Sequence, residues 1–267
     1  MAGGKSLEVY LDLLSQPCRA VHILLNYNKV PFTLRTVALR KGENKTPEFT
    51  RLNPLQKVPV MVDNGFVLTE SVAILKYLVA KYSVPEYWYP CQPERRAKVD
   101  EYIAWHHTNT RPHTAKVFIM EVHTHTHTHT HTHTHTHTHT HTLGLMWWSV
   151  LLTVSGLSVQ VLLPRMTGSA VDGVRLERAL AELKATLDHL ESMFLKRQPF
   201  LCGDDITLAD LLAVCELMQP LGGDRDVLTD RPKLQQWRSR VQSALGESFN
   251  HAHSVLYKVR DNFKSKL

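Results

Sequence analysis

Residues 7–14 read as one short buried strand, and Ser15-Gln16-Pro17-Cys18 follows at once with a helix behind it. A strand that feeds a helix through so tight a turn brings a hydroxyl and several backbone N–H groups to one point. That point can hold and activate an anion, because the first N–H groups of a helix lack partners and lie at its positive end. The turn commits the start of the chain to an α/β unit and marks Ser15 as a candidate functional group.

The spacing is that of a Cys-x-x-Cys turn with the first sulfur replaced by oxygen. Disulfide exchange needs a thiolate at that first position, so the replacement argues against redox chemistry. A serine there can instead donate a hydrogen bond to the thiolate of a bound molecule. Residues 17–28 have helical spacing through Val21, Leu24 and Leu25, and 32–37 is a second strand candidate after Pro31. Thr46 and Pro47 suit the N-cap and first position of a helix. Residues 58–62, then Asp63-Asn64-Gly65, then 66–69 read as a hairpin, since Asn-Gly favours a primed turn. Residues 71–82 form an amphipathic helix through Val72, Ile74, Leu75 and Leu78. The order β-α-β-α-β-β-α over residues 1–82 is an α/β unit of the thioredoxin kind.

Residues 83–93 carry Pro85, Pro90 and Pro93 without periodicity and read as a linker. From Glu94 the non-repetitive sequence is helical, which makes 94–267 an all-α domain. Leu176, Leu180, Leu183, Leu187, Leu190 and Phe194 keep steps of four and three. Ile206-Thr207-Leu208-Ala209-Asp210 resembles a capping box, with Thr207 on the helix N–H groups and Asp210 reaching back.

Residues 123–142 interrupt this pattern with ten consecutive His-Thr pairs. No packed core follows from such a repeat, and the expectation is a solvated loop. An extended conformation would place the imidazoles on one face, as in a purification tag for nickel, copper or zinc. Alternating CA dinucleotides read in one frame give His-Thr, so the tract has the form of a translated microsatellite. Residues 143–164 contain no charged side chain, but glycine and polar interruptions and the missing basic flank argue against a membrane span. We expect 123–160 to be a retained intron or a gene-model error. Messenger RNA that crosses the repeat with conventional splice junctions on both sides would sink that idea.

A chain of 267 residues, 43% of them hydrophobic, has material for two cores. Its formal charge of +6 is spread along the sequence, which points away from a nucleic-acid surface. Cys18, Cys91, Cys202 and Cys215 lie far apart, with neither zinc spacing nor a disulfide framework. The opening MAGGKSLEVY lacks a signal-peptide core and begins Met-Ala, not the Met-Gly of a myristoylation site. The expectation is a cytoplasmic protein without a metal.

Several stretches together resemble the theta class of glutathione transferases. They are Val9-Tyr10-Leu11-Asp12-Leu13-Leu14-Ser15-Gln16-Pro17-Cys18-Arg19-Ala20 and Asn53-Pro54-Leu55-Gln56-Lys57-Val58-Pro59. Leu68-Thr69-Glu70-Ser71-Val72-Ala73-Ile74-Leu75 and Val99-Asp100-Glu101-Tyr102 with Trp105 follow, then 206–211 and Arg231-Pro232-Lys233-Leu234. The resemblance covers nearly everything except 123–160. It implies a thioredoxin-like domain packed on an all-α domain, as a homodimer. It also implies attack of glutathione sulfur on small alkyl halides, epoxides or activated esters, with glutathione as co-substrate and no further cofactor.

The same resemblance implies the roles. Ser15 would donate its O–H to the sulfur, because a free thiol is only a few per cent thiolate at neutral pH; its residue-level alternative is an N-cap. Gln16 would belong to the glutathione site. Val58-Pro59 would form a cis-proline turn whose edge pairs with the glutathione backbone. Ser71 and the helix start would take the γ-glutamyl carboxylate, and Glu70 the α-amino group. Lys57 would meet the glycyl carboxylate. Many theta members carry a histidine after Lys-Gly; here Glu43 and Asn44 follow Lys41-Gly42, so Asn44 or Lys45 would take that part. Arg111 would stabilise the thiolate or a leaving anion, with a kink expected at Pro112. Some theta members have a longer tail, so the present end at Leu267 leads us to expect an open electrophile pocket. Cys18 reads as a buried helix residue. The competing readings are a folded but inactive relative, and a chain whose insert prevents folding.

Overall fold

A computed structural model describes residues 7–128 and 173–265. Of the insert, 123–128 continue a helix and the remainder lies outside the described residues, as does the expected uncharged stretch 143–164.

Strand β1 (Leu7–Leu11) turns Leu7, Val9 and Leu11 inward. It lies in a four-stranded sheet of order β2-β1-β3-β4, with β2 (Thr33–Thr36), β3 (Val60–Asp63) and β4 (Phe66–Thr69). β2 runs parallel to β1, while β1–β3 and β3–β4 are antiparallel. The strand expected to reach residue 14 stops at Leu11. Asp12 explains the stop: its carboxylate accepts from Leu14 N at 2.9 Å and Leu39 N at 3.1 Å, and its carbonyl accepts from Ser15 N at 2.9 Å.

Helix α1 (Gln16–Tyr27) buries every residue from Cys18 to Leu25, a wider face than Val21, Leu24 and Leu25 alone suggest. It is enclosed by the helix Ser71–Lys81 of its own domain and by two helices of the second. Helices α2 (Pro47–Leu52) and α3 (Ser71–Lys81) complete the α/β layer. Thr46 caps α2 through Phe49 N, as expected. The 83–93 stretch holds a short 3-10 turn at Glu86–Trp88, whose Trp88 is fully buried.

The second domain is helical throughout the described residues: α4 (Pro93–Thr108), α5 (Thr110–Thr128), α6 (Gly173–His189), α7 (Leu208–Leu217), α8 (Pro232–Leu245) and α9 (Glu247–Lys264). The stripe read on α6 continues through a π-helical turn at Leu190–Leu195, keeping Leu183, Leu187, Leu190 and Phe194 buried. Helix α7 is buried along its whole length. The kink expected at Pro112 is absent. The break falls earlier, at Asn109 (φ −124°, ψ −79°), so Pro112 is the third residue of α5. An N–H at that position has no intrahelical partner in any case, and a proline there costs little.

Candidate active site

Strand register brings the expected residues to one end of the sheet. Tyr10 pairs with Val60, and Val60 with Thr69. One step further along each strand stand Leu11 with its turn to Ser15, Pro59, and Glu70. The three local motifs thus share an edge although they are far apart in sequence.

Ser15 occupies the N-cap of α1 (φ −83°, ψ 125°), yet its side chain makes no cap hydrogen bond. Ser15 is half-buried and its hydroxyl lies against the Cys18 thiol, so no backbone N–H of α1 consumes it. Gln16 is the first residue of α1. Behind them Cys18 is fully buried, and burial pushes its thiol up to about 12 against the opposing influence of the Asp12 backbone and Ser15 hydroxyl. A thiol held neutral in this way is no second nucleophile.

The Val58-Pro59 peptide bond is cis. The preceding loop is shaped from within: buried Asn53 donates to Lys57 O at 2.8 Å and accepts from Leu55 N at 3.0 Å. Asn44 is buried and donates to Gln56 O at 2.8 Å. Its Oδ1 is a buried acceptor without a hydrogen bond, and one of its two Nδ2 protons is committed to this loop. Asn44 therefore shapes the loop that carries Lys57, while Lys45 is exposed. Glu70 precedes α3 with φ 67°, and Ser71, its first helical residue, is buried.

Arg111 reaches this edge from the second domain. Its Nη2 donates to Ser71 Oγ at 3.5 Å, Nη1 lies 3.4 Å from His107 Nδ1, and Nε donates to Glu216 Oε1 at 2.9 Å. Burial pushes the Glu216 carboxyl up, opposed by Arg111 and Arg19. Burial, then Arg111, hold His106 well below the usual imidazole value. Burial also lowers His107, with Arg111 adding to the shift and Glu70 opposing it.

Two groups escaped the sequence reading. Arg19 is fully buried and binds Leu13 O (2.9 Å) and Leu14 O (3.2 Å) on one side. On the other it binds Cys215 O (2.8 Å) and Gln219 Oε1 (2.6 Å). It ties the Ser15 turn to the C-terminal end of α7. Glu216 ties Arg111 to the same end. An acid within the apolar run Leu208–Leu217 was the available signal for Glu216; nothing local marked Arg19 as buried.

Residues 9–80 match the family model for the glutathione S-transferase N-terminal domain, and 160–244 that for the C-terminal domain. The second match begins at the last residue of the expected insert. Glutathione S-transferase theta-1 of Bos taurus is 43% identical over 96% of this chain and 91% of its own length. The human theta-1 protein is likewise 43% identical, over 96% and 90%. The chain belongs to the theta-class glutathione transferases. Among solved structures, the human theta-1 transferase in its apo form superposes with a TM-score of 0.75 at 42% identity, covering 98% of this chain and 96% of that one. Human theta-2, solved in complex with glutathione, gives 0.76 at 37% identity, covering 98% and 91%. For this theta-class transferase, among the described residues, no helix is long and apolar enough to cross a membrane, and no group of three or more His, Cys, Asp or Glu could hold a metal.

Proposed function

We propose that this glutathione transferase activates glutathione through Ser15. The observation that carries the reading is a hydroxyl at a helix N-terminus that does not cap its own helix. Charge-assisted donation to a thiolate lowers the thiol pKa and raises the fraction of sulfur ready to attack. The attacking sulfur forms a bond to the electrophilic carbon, the leaving group departs with its electron pair, and the thiol proton passes to solvent. Ser15 stays intact throughout.

The other roles rest on the family resemblance, and the shared sheet edge supports them. Ser71 and the α3 N-terminus receive the γ-glutamyl carboxylate, and exposed Glu70 its ammonium group. The backbone at Val58-Pro59 pairs with the peptide, Gln16 borders it, and Lys57 with Lys45 supplies charge to the glycyl end. Arg111 faces the sulfur and stabilises the anion that forms or leaves. The substrates are small alkyl halides, epoxides and activated esters. The protein works as a cytoplasmic homodimer, without nucleic acid as a partner.

Ser15→Ala tests the reading: conjugation should fall by about a hundredfold or more, the scale of losing one preorganised donor to a reacting anion. Wild-type turnover in the folded variant would refute it. A second reading, an inactive relative, draws on one observation: the helix that carries Arg111 runs on into the repeat at 123–128. Calorimetry of glutathione with the full chain and with a 123–160 deletion tests first whether the insert is tolerated, and turnover of the two forms then separates the readings. Binding by both shows that the insert is tolerated; binding by the deletion alone assigns the function to a shorter product.

A further inference from the structure

Arg111 is held by one short hydrogen bond. Its contacts to Ser71 Oγ (3.5 Å) and His107 Nδ1 (3.4 Å) are at the outer limit of hydrogen bonding, while that to Glu216 Oε1 is 2.9 Å. A guanidinium is planar, so a charge-assisted bond at Nε fixes the plane in which both Nη groups lie. The arginine side chain is 13% exposed and the glutamate 1%, so the bond is largely shielded from water and its direction is well defined.

Stability alone does not account for Glu216. A buried ion pair gains little over well-packed apolar residues, because desolvating both charges consumes most of the attraction. Glu216 is also thinly served: the nearby Thr114 hydroxyl donates to the Thr110 carbonyl at 2.8 Å, which leaves Oε2 no regular hydrogen bond, His106 Nε2 has none either, and His106 lies 3.8 Å from Oε1. The neighbourhood spends buried polar groups to hold one arginine, and that arginine points at the residue that opens α3.

We propose that Glu216 is a positioning residue for the transferase reaction: its carboxylate orients the Arg111 guanidinium toward Ser71 and the glutathione site. This rests on the role given above to Arg111. Glu216 touches no substrate, and its action passes entirely through Arg111.

A double-variant cycle on the full chain tests it, with glutathione and an aryl or alkyl halide as reactants. Glu216→Gln keeps shape and burial but removes the charge. It should lower kcat by about tenfold to a hundredfold, the scale of an ångström's misplacement of an active-site group. Arg111→Ala should lower kcat comparably, and Arg111→Ala with Glu216→Gln should be no slower than Arg111→Ala alone. Glu216→Asp, which keeps the charge on a shorter stem, should recover part of what Gln loses. A purely structural role would lower the melting temperature and leave kcat per folded molecule unchanged, which would overturn the proposal; so would losses that multiply in the double variant. Should Glu216→Gln not fold, the cycle is run with Glu216→Asp under the same criteria. Full activity in Ser15→Ala would count against the transferase mechanism itself; full activity in Arg111→Ala would remove the role on which Glu216 acts.

Discussion

The two ends of helix α7 each bury a carboxylate, and they use it in opposite ways. Asp210 at the N-terminal end accepts from Leu201 N (2.8 Å), Trp237 Nε1 (2.8 Å), Thr207 N (3.0 Å) and Thr207 Oγ1 (3.1 Å). Both of its oxygens are occupied. Glu216 at the other end leaves one oxygen unpaired and commits the other to an arginine on another helix. Closure at one end rigidifies the helix against the core. The C-terminal end reaches toward the proposed glutathione site, through Arg19 to the Ser15 turn and through Glu216 to Arg111.

The largest effect should come from opening the closed end. Asp210→Ala strands two backbone N–H groups and the Trp237 indole in the core, and should cost about 3–5 kcal/mol of stability. Kinetic constants of the fraction that remains folded should be close to wild type. A variant that melts normally but turns over slowly would break the contrast between the two ends.

Arg19→Met comes next. It releases the Leu13 and Leu14 carbonyls and the partners on Cys215 and Gln219 together, at a cost of about 2–3 kcal/mol. Unlike Asp210→Ala it should also lower kcat, because the released carbonyls flank the turn that presents Ser15. Stability loss with unchanged kcat would reduce Arg19 to a core bolt.

Acid should act with opposite signs on Asp210 and on His253 of α9, which packs near Arg19. Burial, with help from Arg19, pushes the fully buried His253 down to about 3 from an ordinary 6.5. A depressed histidine contributes stability that is present above the unfolded value and is lost as pH falls from 6.5 toward 3, by about 1.4 kcal/mol per pH unit. Asp210 has the opposite sign. Burial raises it above its ordinary 3.8, so its contribution is fully present below 3.8 and is lost as pH rises through the raised value. Melting temperatures measured from pH 7 to 4 should fall, and His253→Asn should make the fall shallower, with the depressed His22, His106 and His107 supplying the rest. A flat wild-type profile would show that the histidine environment is not coupled to folding.

How much of this was readable depended on the range of the interactions. The Ser15 turn, the Asn-Gly hairpin, the Thr46 cap and the Thr207–Asp210 box are local, and short spacings of turn and cap residues announce them. Their convergence was less visible, because it is a matter of register: Tyr10 beside Val60 beside Thr69. Arg19 bonding to Gln219 and Arg111 to Glu216 span 200 and 105 residues, and no periodicity encodes such pairs. The strand end at Leu11 and the harmless place of Pro112 were misjudged for a related reason. Each is set by one neighbouring residue: Asp12 ends the strand against the apolar pattern, and the break at Asn109 puts Pro112 in the first turn of α5, where a proline does no harm.

The smallest effect is expected from the cap at the closed end. Thr207 Oγ1 accepts from Ala209 N at 3.2 Å and donates to Asp210 Oδ2 at 3.1 Å. Thr207→Ala removes both bonds but leaves Asp210 its three N–H donors, so the carboxylate is still served. The loss should be about 1 kcal/mol, the usual value of an N-cap, with no change in kcat or in KM for glutathione. Chemical denaturation checks it directly. A cost comparable to that of Asp210→Ala would mean that the hydroxyl, and not the N–H donors, closes the knot, and that this end of α7 depends on one bond just as the other depends on Glu216.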